Sequence, residues 1–306
     1  MSSDYSQATT LRGLSGGLSS PKKEQLPVPM VLKALRLAFS VGGHMAPNTA
    51  GNFAYKLWFT PTRFKTPARE KAALTSATIN THTIDKHDIV TFSWGAEDTE
   101  KPLALLVHGW SGRGTQLASF VTPLLDAGYR VLSFDAPAHG KSSGKQTNLY
   151  EVADVIVALQ KLYGDIEAVI THSFGGPCLT AAMHRGFITR RIVSICPPAT
   201  TKGLVEKFNN ALHVPKKAAG KMILKIEDDF GKDIWEEISM VNLVKNINTP
   251  ALLIHDVNDS DIPWQEGEDV AKAWDNATFI KTSGLGHRRI LRDDFVIESA
   301  IKHVVE

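Results

Sequence analysis

The chain has 306 residues, 43% of them hydrophobic and 22% charged, which excludes a disordered protein and allows a large buried core. Its 34 Lys and Arg against 32 Asp and Glu leave a formal charge of +2 with the two signs interspersed, so nucleic acid is not an expected partner. Two cysteines, Cys178 and Cys196, exclude a disulfide framework and a paired-cysteine metal motif; two free core thiols in a reducing cytoplasm are expected.

Residues 1–26 are rich in Ser, Gly and Thr and are expected to form a disordered leader; no basic segment runs into an apolar one, so no secretory signal is expected. From Pro27 onward, Val31, Leu32, Leu35, Leu37, Ala38 and Phe39 alternate with Lys33 and Arg36 as in a short amphipathic helix, which Gly42-Gly43 and Pro47 should end. Residues 37–55 carry no Asp, Glu, Lys or Arg, yet their Gly, Pro, Asn and Thr content makes a membrane span too polar to form. The helix is expected to dock on the domain surface or a partner, with weak interfacial membrane contact as the lesser alternative. Residues 27–70 therefore form an N-terminal helical extension, to which Phe53, Tyr55, Leu57, Trp58 and Phe59 add apolar mass.

Residues 78–85 and 89–94 are rich in β-formers and are joined by Lys86-His87-Asp88, predicting a hairpin at a sheet edge. Residues 103–107 form a continuous apolar run, as in a strand covered on both faces, and end in His108-Gly109-Trp110-Ser111-Gly112. A helix over 115–126, a strand over 130–135, a helix over 149–163 and a strand over 166–170 follow. The chain then turns through Thr171-His172-Ser173-Phe174-Gly175-Gly176 into a helix to about Arg185 and a strand over 191–196. The alternation predicts an α/β fold with a mostly parallel, doubly wound sheet. It breaks at 199–248, where helical pieces over 217–226 and 234–244 predict an inserted helical cap. In it Phe208, Leu212, Met222, Ile223 and Ile226 either roof a pocket or form the cap's own core. Strands over 251–255 and 278–282, with helices over 265–274 and 292–304, complete a core of residues 71–198 and 249–306.

A hydroxyl that attacks a carbonyl needs a base, an acid that orients the base, and donors for the developing oxyanion. Open α/β sheets place such groups at strand C-terminal ends, and Ser173, Asp259 and His287 each follow a predicted strand, in that order. The sequence here resembles the α/β-hydrolase family. Thr171-His172-Ser173-Phe174-Gly175 matches its Gly-x-Ser-x-Gly elbow, with Thr171 in place of the first glycine, and His108-Gly109-Trp110 matches its oxyanion loop. Asp256-Val257-Asn258-Asp259-Ser260-Asp261-Ile262-Pro263 matches its Gly-x-x-Asp-x-x-Val-Pro acid loop, and Gly284-Leu285-Gly286-His287 its histidine loop.

The resemblance implies Ser173 as nucleophile, His287 as base, Asp259 as orienting acid rather than its neighbours Asp256 or Asp261, and the backbone amides of Trp110 and Phe174 as oxyanion donors. His108 is expected to brace the oxyanion loop, His172 to flank the elbow and His255 to end a core strand. The loop Asp135-Ala136-Pro137-Ala138-His139-Gly140 resembles a structural family loop. Gly140-Lys141-Ser142 ends like a phosphate-binding loop, but Asp135 stands where its first glycine belongs and no helix opens after it. The expected function is hydrolysis of a carboxylic ester of a small-molecule acyl substrate, with no cofactor and no metal. The alternatives are a peptidase or acyltransferase on the same triad, or a non-catalytic binding protein of this fold.

Overall fold

A computed structural model describes residues 10–11 and 30–306. The strands of the described residues are β1 (Thr10–Leu11), β2 (Thr78–Ile84), β3 (His87–Trp94), β4 (Leu103–Val107), β5 (Arg130–Phe134), β6 (Ile166–His172), β7 (Arg191–Ile195), β8 (Ala251–Asp256) and β9 (Ala277–Thr282). They form one sheet in the order β1-β9-β8-β7-β6-β4-β5-β3-β2. From β1 to β5 the neighbours are parallel, while β3 runs antiparallel to β5 and β2 antiparallel to β3. The helices are α1 (Met30–Met45), α2 (Pro47–Trp58), α3 (Lys71–Ser76), α4 (Val121–Asp126), α5 (Leu149–Tyr163), α6 (Gly175–Met183), α7 (Thr201–Ala211), α8 (Lys216–Phe230), α9 (Ile234–Glu237), α10 (Met240–Leu243), α11 (Trp264–Ala273), α12 (Gly286–Arg289) and α13 (Asp294–Val305).

The described residues divide into two compact units. The first holds the sheet and comprises residues 10–11, 61–199 and 238–306. Strand side chains alternate between faces, so Ala104 and Leu106, Ala168 and Ile170, Val193 and Ile195, and Leu252 and Ile254 share one buried layer. Val121 and Leu124 of α4 and Val296, Ala300 and Val304 of α13 cover that layer. The alternate residues Leu105, Val169, Ile192 and Leu253 are equally buried, which is why these strands are continuous apolar runs. Helix ends follow from local chemistry: the Asn148 side chain accepts the Glu151 amide at the start of α5, and Asp293 accepts that of Val296 at the start of α13.

The second unit comprises 30–60 and 200–237 of the described residues. The N-terminal helix does not stop at Gly42-Gly43 but runs on to Met45, and Pro47 opens α2 at its first turn. The glycine serves close packing instead: a Cβ on Gly43 would lie 2.8 Å from the Pro215 ring, and one on Gly51 only 2.8 Å from the Ala218 carbonyl oxygen. Phe39 stacks on Phe53, Trp58 packs edge-on against Phe208 of α7, and Arg36 donates to the Ala211 carbonyl at 2.8 Å. On α1, Met30, Leu37, Val41 and Met45 are exposed.

Several boundaries differ from those predicted. Thr10 and Leu11 pair with β9, so two residues assigned to the leader are strand; the rest of 1–26 lies outside the described residues. The edge hairpin turns on two residues, Asp85 and Lys86, with Asp85 left-handed at φ 51°, and His87 already pairs with Ile84. The helix predicted over 234–244 is broken at Ser239, whose extended backbone (ψ 121°) separates α9 from α10. Residues 61–70, predicted within the extension, and 238–248, predicted within the cap, both belong to the sheet unit. No described helix is long and apolar enough to cross a membrane.

Candidate active site

The chain leaves β6 at His172 and turns on Ser173 into α6. Ser173 has φ 53°, a left-handed backbone that costs a non-glycine residue roughly 1–2 kcal/mol. Its amide donates to Ile195 O at 2.9 Å, and its carbonyl accepts the Gly176 amide at 3.0 Å. Tight approach explains the glycines: a Cβ on Gly175 would lie 2.7 Å from Val107 O, and one on Gly176 would lie 2.9 Å from Ser194 Oγ. Thr171 fits at the first elbow position because its fully buried hydroxyl donates to Ser194 Oγ at 3.0 Å. The branched side chain is thus tied to β7 and leaves the strained serine turn intact.

The three aspartates at and beyond the end of β8 have different surroundings. Asp256 is fully buried and accepts the amides of Asn258 (3.0 Å) and Gly286 (2.9 Å) on Oδ1 and the Leu285 amide (3.1 Å) and Thr282 hydroxyl (2.8 Å) on Oδ2. It clamps the acid loop to the histidine loop. Asp261 pairs with exposed Arg288 at 2.9 Å. Asp259 accepts the amides of Asp261 (2.8 Å) and Ile262 (2.9 Å) on Oδ1, and His287 Nδ1–H on Oδ2 at 2.7 Å. Burial alone would raise the Asp259 carboxyl, but hydrogen bonds from His255 and His287 outweigh it and hold it well below the usual carboxylate range. His287 lies in the short helix α12 rather than in a loop.

His172 joins the two loops. Its Nε2–H donates to the His287 carbonyl at 2.9 Å, and the two rings lie 4.7 Å apart. Burial first, then the neighbouring charge of His287, pushes the His172 imidazole down to about 3, so the ring is neutral. No hydrogen bond joins the Ser173 hydroxyl to the His287 ring; the link between elbow and histidine is His172, which precedes the serine and grips the His287 backbone.

The loop after β4 meets the elbow at Gly109, where a Cβ would lie 3.0 Å from Ser173 Cβ. Its amides are nearly all occupied: Gly109 donates to Gln116 Oε1 (3.2 Å), Ser111 to His139 Nε2 (3.0 Å) and Gly112 to Gly109 O (2.9 Å). Among the described residues the amides of Trp110 and Phe174 have no protein acceptor. The two side chains meet edge-on at 5.3 Å, linking oxyanion loop and elbow.

His108 donates Nδ1–H to Gly109 O at 2.8 Å and accepts the Ala136 amide on Nε2 at 3.0 Å. His139 likewise donates to Pro137 O. Burial pushes His108 down to about 4. Burial, then repulsion from His108, pushes His139 to about 3. Asp135 accepts the amides of Gly114 and Lys141, both at 2.7 Å, which accounts for its loop as a structural brace.

Sequence reasoning missed a further set of braces. Buried Glu70 takes two hydrogen bonds from Arg113 (2.7 and 2.8 Å) and one from Thr115 (2.8 Å). Arg63 donates to the carbonyls of Ala138, Ser142 and Gly144, and the Thr62 amide to Ser111 Oγ. No local sequence pattern marks these residues, because their partners lie far along the chain. Among the described residues, Cys196, His255 and Asp259 have ligand atoms within 4.8 Å of one another. They fit a metal poorly: burial raises the Cys196 thiol, and His255 Nε2 and the Asp259 oxygens are spent on hydrogen bonds.

The model of the α/β hydrolase family matches residues 104–298. The chain belongs to this family. No curated protein matches its sequence. Among solved structures it resembles Est1E from Butyrivibrio proteoclasticus, solved with ferulic acid, at 18% identity and a TM-score of 0.55, over 74% of this chain and 100% of that one. A putative lipase from Acinetobacter baumannii AYE aligns at 17% identity and TM-score 0.56, over 78% and 92%. The thioesterase domain from the curacin biosynthetic pathway aligns at 15% and 0.53, over 75% and 99%. At these identities the likenesses bear on the fold.

Proposed function

We propose that this α/β hydrolase is a serine hydrolase that cleaves carboxylic esters through Ser173, His287 and Asp259. The observation that carries the reading is the 2.7 Å hydrogen bond from His287 Nδ1 to Asp259 Oδ2, in a histidine loop anchored to the serine elbow by His172. With Nδ1–H donated to the carboxylate, the ring's Nε2 is the nitrogen available to take a proton. Ser173 Oγ attacks the acyl carbonyl carbon as His287 Nε2 takes its proton, and the amides of Trp110 and Phe174 receive the oxyanion. His287 returns the proton to the leaving alcohol, and water repeats the sequence on the acyl-enzyme to release the acid. Catalytic hydrogen bonds of this kind tighten when substrate binds, so the bond from Ser173 Oγ to His287 Nε2 forms in the substrate complex.

An ester is favoured because the similar structures include a putative lipase and a thioesterase domain. Two buried, unpaired cysteines suit a reducing cytoplasm. Hydrolysis of short and medium p-nitrophenyl esters tests the reading. Ser173→Ala, His287→Ala and Asp259→Asn should each lower kcat by roughly 10³–10⁴-fold or more while the fold persists. Wild-type turnover in Ser173→Ala would refute it.

A further inference from the structure

Asp259 is gripped by two imidazoles. His287 Nδ1 lies 2.7 Å from its Oδ2, and His255 Nε2 lies 3.3 Å from the same oxygen. Both His255 and the Asp259 side chain are fully buried. His255 Nε2 also lies 3.1 Å from the Ile262 carbonyl oxygen. A carbonyl can only accept, so Nε2 carries the proton and donates it to Ile262 O, with Asp259 Oδ2 close enough to draw on the same N–H. The opposite nitrogen, Nδ1, is buried and has no partner. It abuts Gly267, where a Cβ would lie 2.4 Å from it. A proton there would be a buried donor without an acceptor, so the ring is a neutral donor and not an acid or base.

Resting on the Ser–His–Asp reading, we propose that His255 is a positioning residue: a second, neutral imidazole whose Nε2–H fixes the Asp259 oxygen that orients His287. The two amides on Oδ1 hold one side of the carboxylate, and His255 holds the other. Without it, Oδ2 keeps His287 as its imidazole donor, its rotation is less restrained and its negative charge less dispersed. A less dispersed charge stabilises the imidazolium of His287 more strongly, so the proton leaves it less readily. The charged and titratable groups facing this pair are His172 at the end of β6, Cys196 after β7, Asp256 and Asp261 in the acid loop, and Arg288 beside His287; none of them changes in the variants below.

The test compares His255→Leu, which removes the donor, with His255→Gln, whose amide can reach the same oxygen. Wild type, both variants, Ser173→Ala and Asp259→Asn are assayed on one soluble ester, with melting temperatures measured alongside. His255→Leu should lower kcat roughly ten- to a hundredfold, the scale of a hydrogen bond to a charged group. KM should change little, and the acidic limb of the pH–rate profile should move to higher pH. His255→Gln should recover most of both. A folded His255→Leu with wild-type kcat and acidic limb would overturn the proposal, as would loss in both variants with no shift of the limb. Nitrogen-15 NMR of histidine-labelled wild type needs no substitution: His255 should be the Nε2–H tautomer at pH 7 and should shift in Asp259→Asn, and an Nδ1–H tautomer would overturn it. Failure of the triad itself shows separately, as activity retained in Ser173→Ala or Asp259→Asn.

Discussion

At the scale of single residues, the aspartates at and beyond the end of β8 show how neighbours divide one side-chain chemistry into separate tasks. Asp256 receives four hydrogen bonds, none from an imidazole, so its task is to hold two loops together. Asp256→Asn presents an NH2 group to donors, which should cost about 2–4 kcal/mol in denaturant unfolding and lower activity by displacing the histidine loop. Asp261→Asn weakens the surface ion pair to Arg288 and should cost less than about 1 kcal/mol with activity retained. Activity lost in Asp261→Asn but kept in Asp259→Asn would reassign the acid. Ser173, Asp259 and His287 were legible as candidates because each follows a predicted strand within a motif that resembles the α/β-hydrolase family's elbow, acid loop or histidine loop. His255 could not, because a histidine ending an apolar strand looks the same whether or not a carboxylate folds back onto it. The fit of Thr171 was equally hidden, since it depends on Ser194 of the neighbouring strand.

Among the elements, strands β4 to β8 lay close to their predicted positions because burial on both faces writes a continuous apolar run into each. Helix α1 shows where that logic ends. Gly42-Gly43 has the look of a helix stop, yet the second glycine is there to let the helix approach Pro215, whose position no local pattern discloses. The two adjacent glycines should therefore respond oppositely to the same substitution. Gly42→Ala, with nothing within 4 Å of the new methyl, should stabilise the helical unit by about 0.5–1 kcal/mol. Gly43→Ala, 2.8 Å from the proline ring, should destabilise it by about 1–3 kcal/mol despite the better helix propensity. Thermal unfolding of the two variants reads the difference, and a shared sign would contradict the packing account. Residues 61–70 escaped prediction for a related reason: the partners of Arg63 and Glu70 are loops that only the sheet brings near.

For the molecule as a whole, the site is built from histidines kept neutral by burial, and that has a cost in acid. His108 is pushed down to about 4, and His139 and His172 to about 3, from an ordinary value of 6.5. The unfolded chain takes these protons as the pH falls through 6.5, whereas the folded protein resists until about 3–4. Stability is thus fully present above 6.5 and falls below it, by up to about 1.4 kcal/mol per pH unit for each histidine. Urea midpoints should drop steeply between pH 6.5 and 4.5, and less steeply in His139→Asn; a flat profile would contradict the neutral buried rings. The same packing that makes these rings acid-labile fixes the loops around Ser173, on which the proposed chemistry depends. Labelling with a fluorophosphonate followed by peptide mapping tests that dependence most directly. A single adduct on Ser173, formed in wild type and lost or greatly slowed in His287→Ala, is the predicted result; an adduct on another residue, or equal labelling without His287, would contradict it.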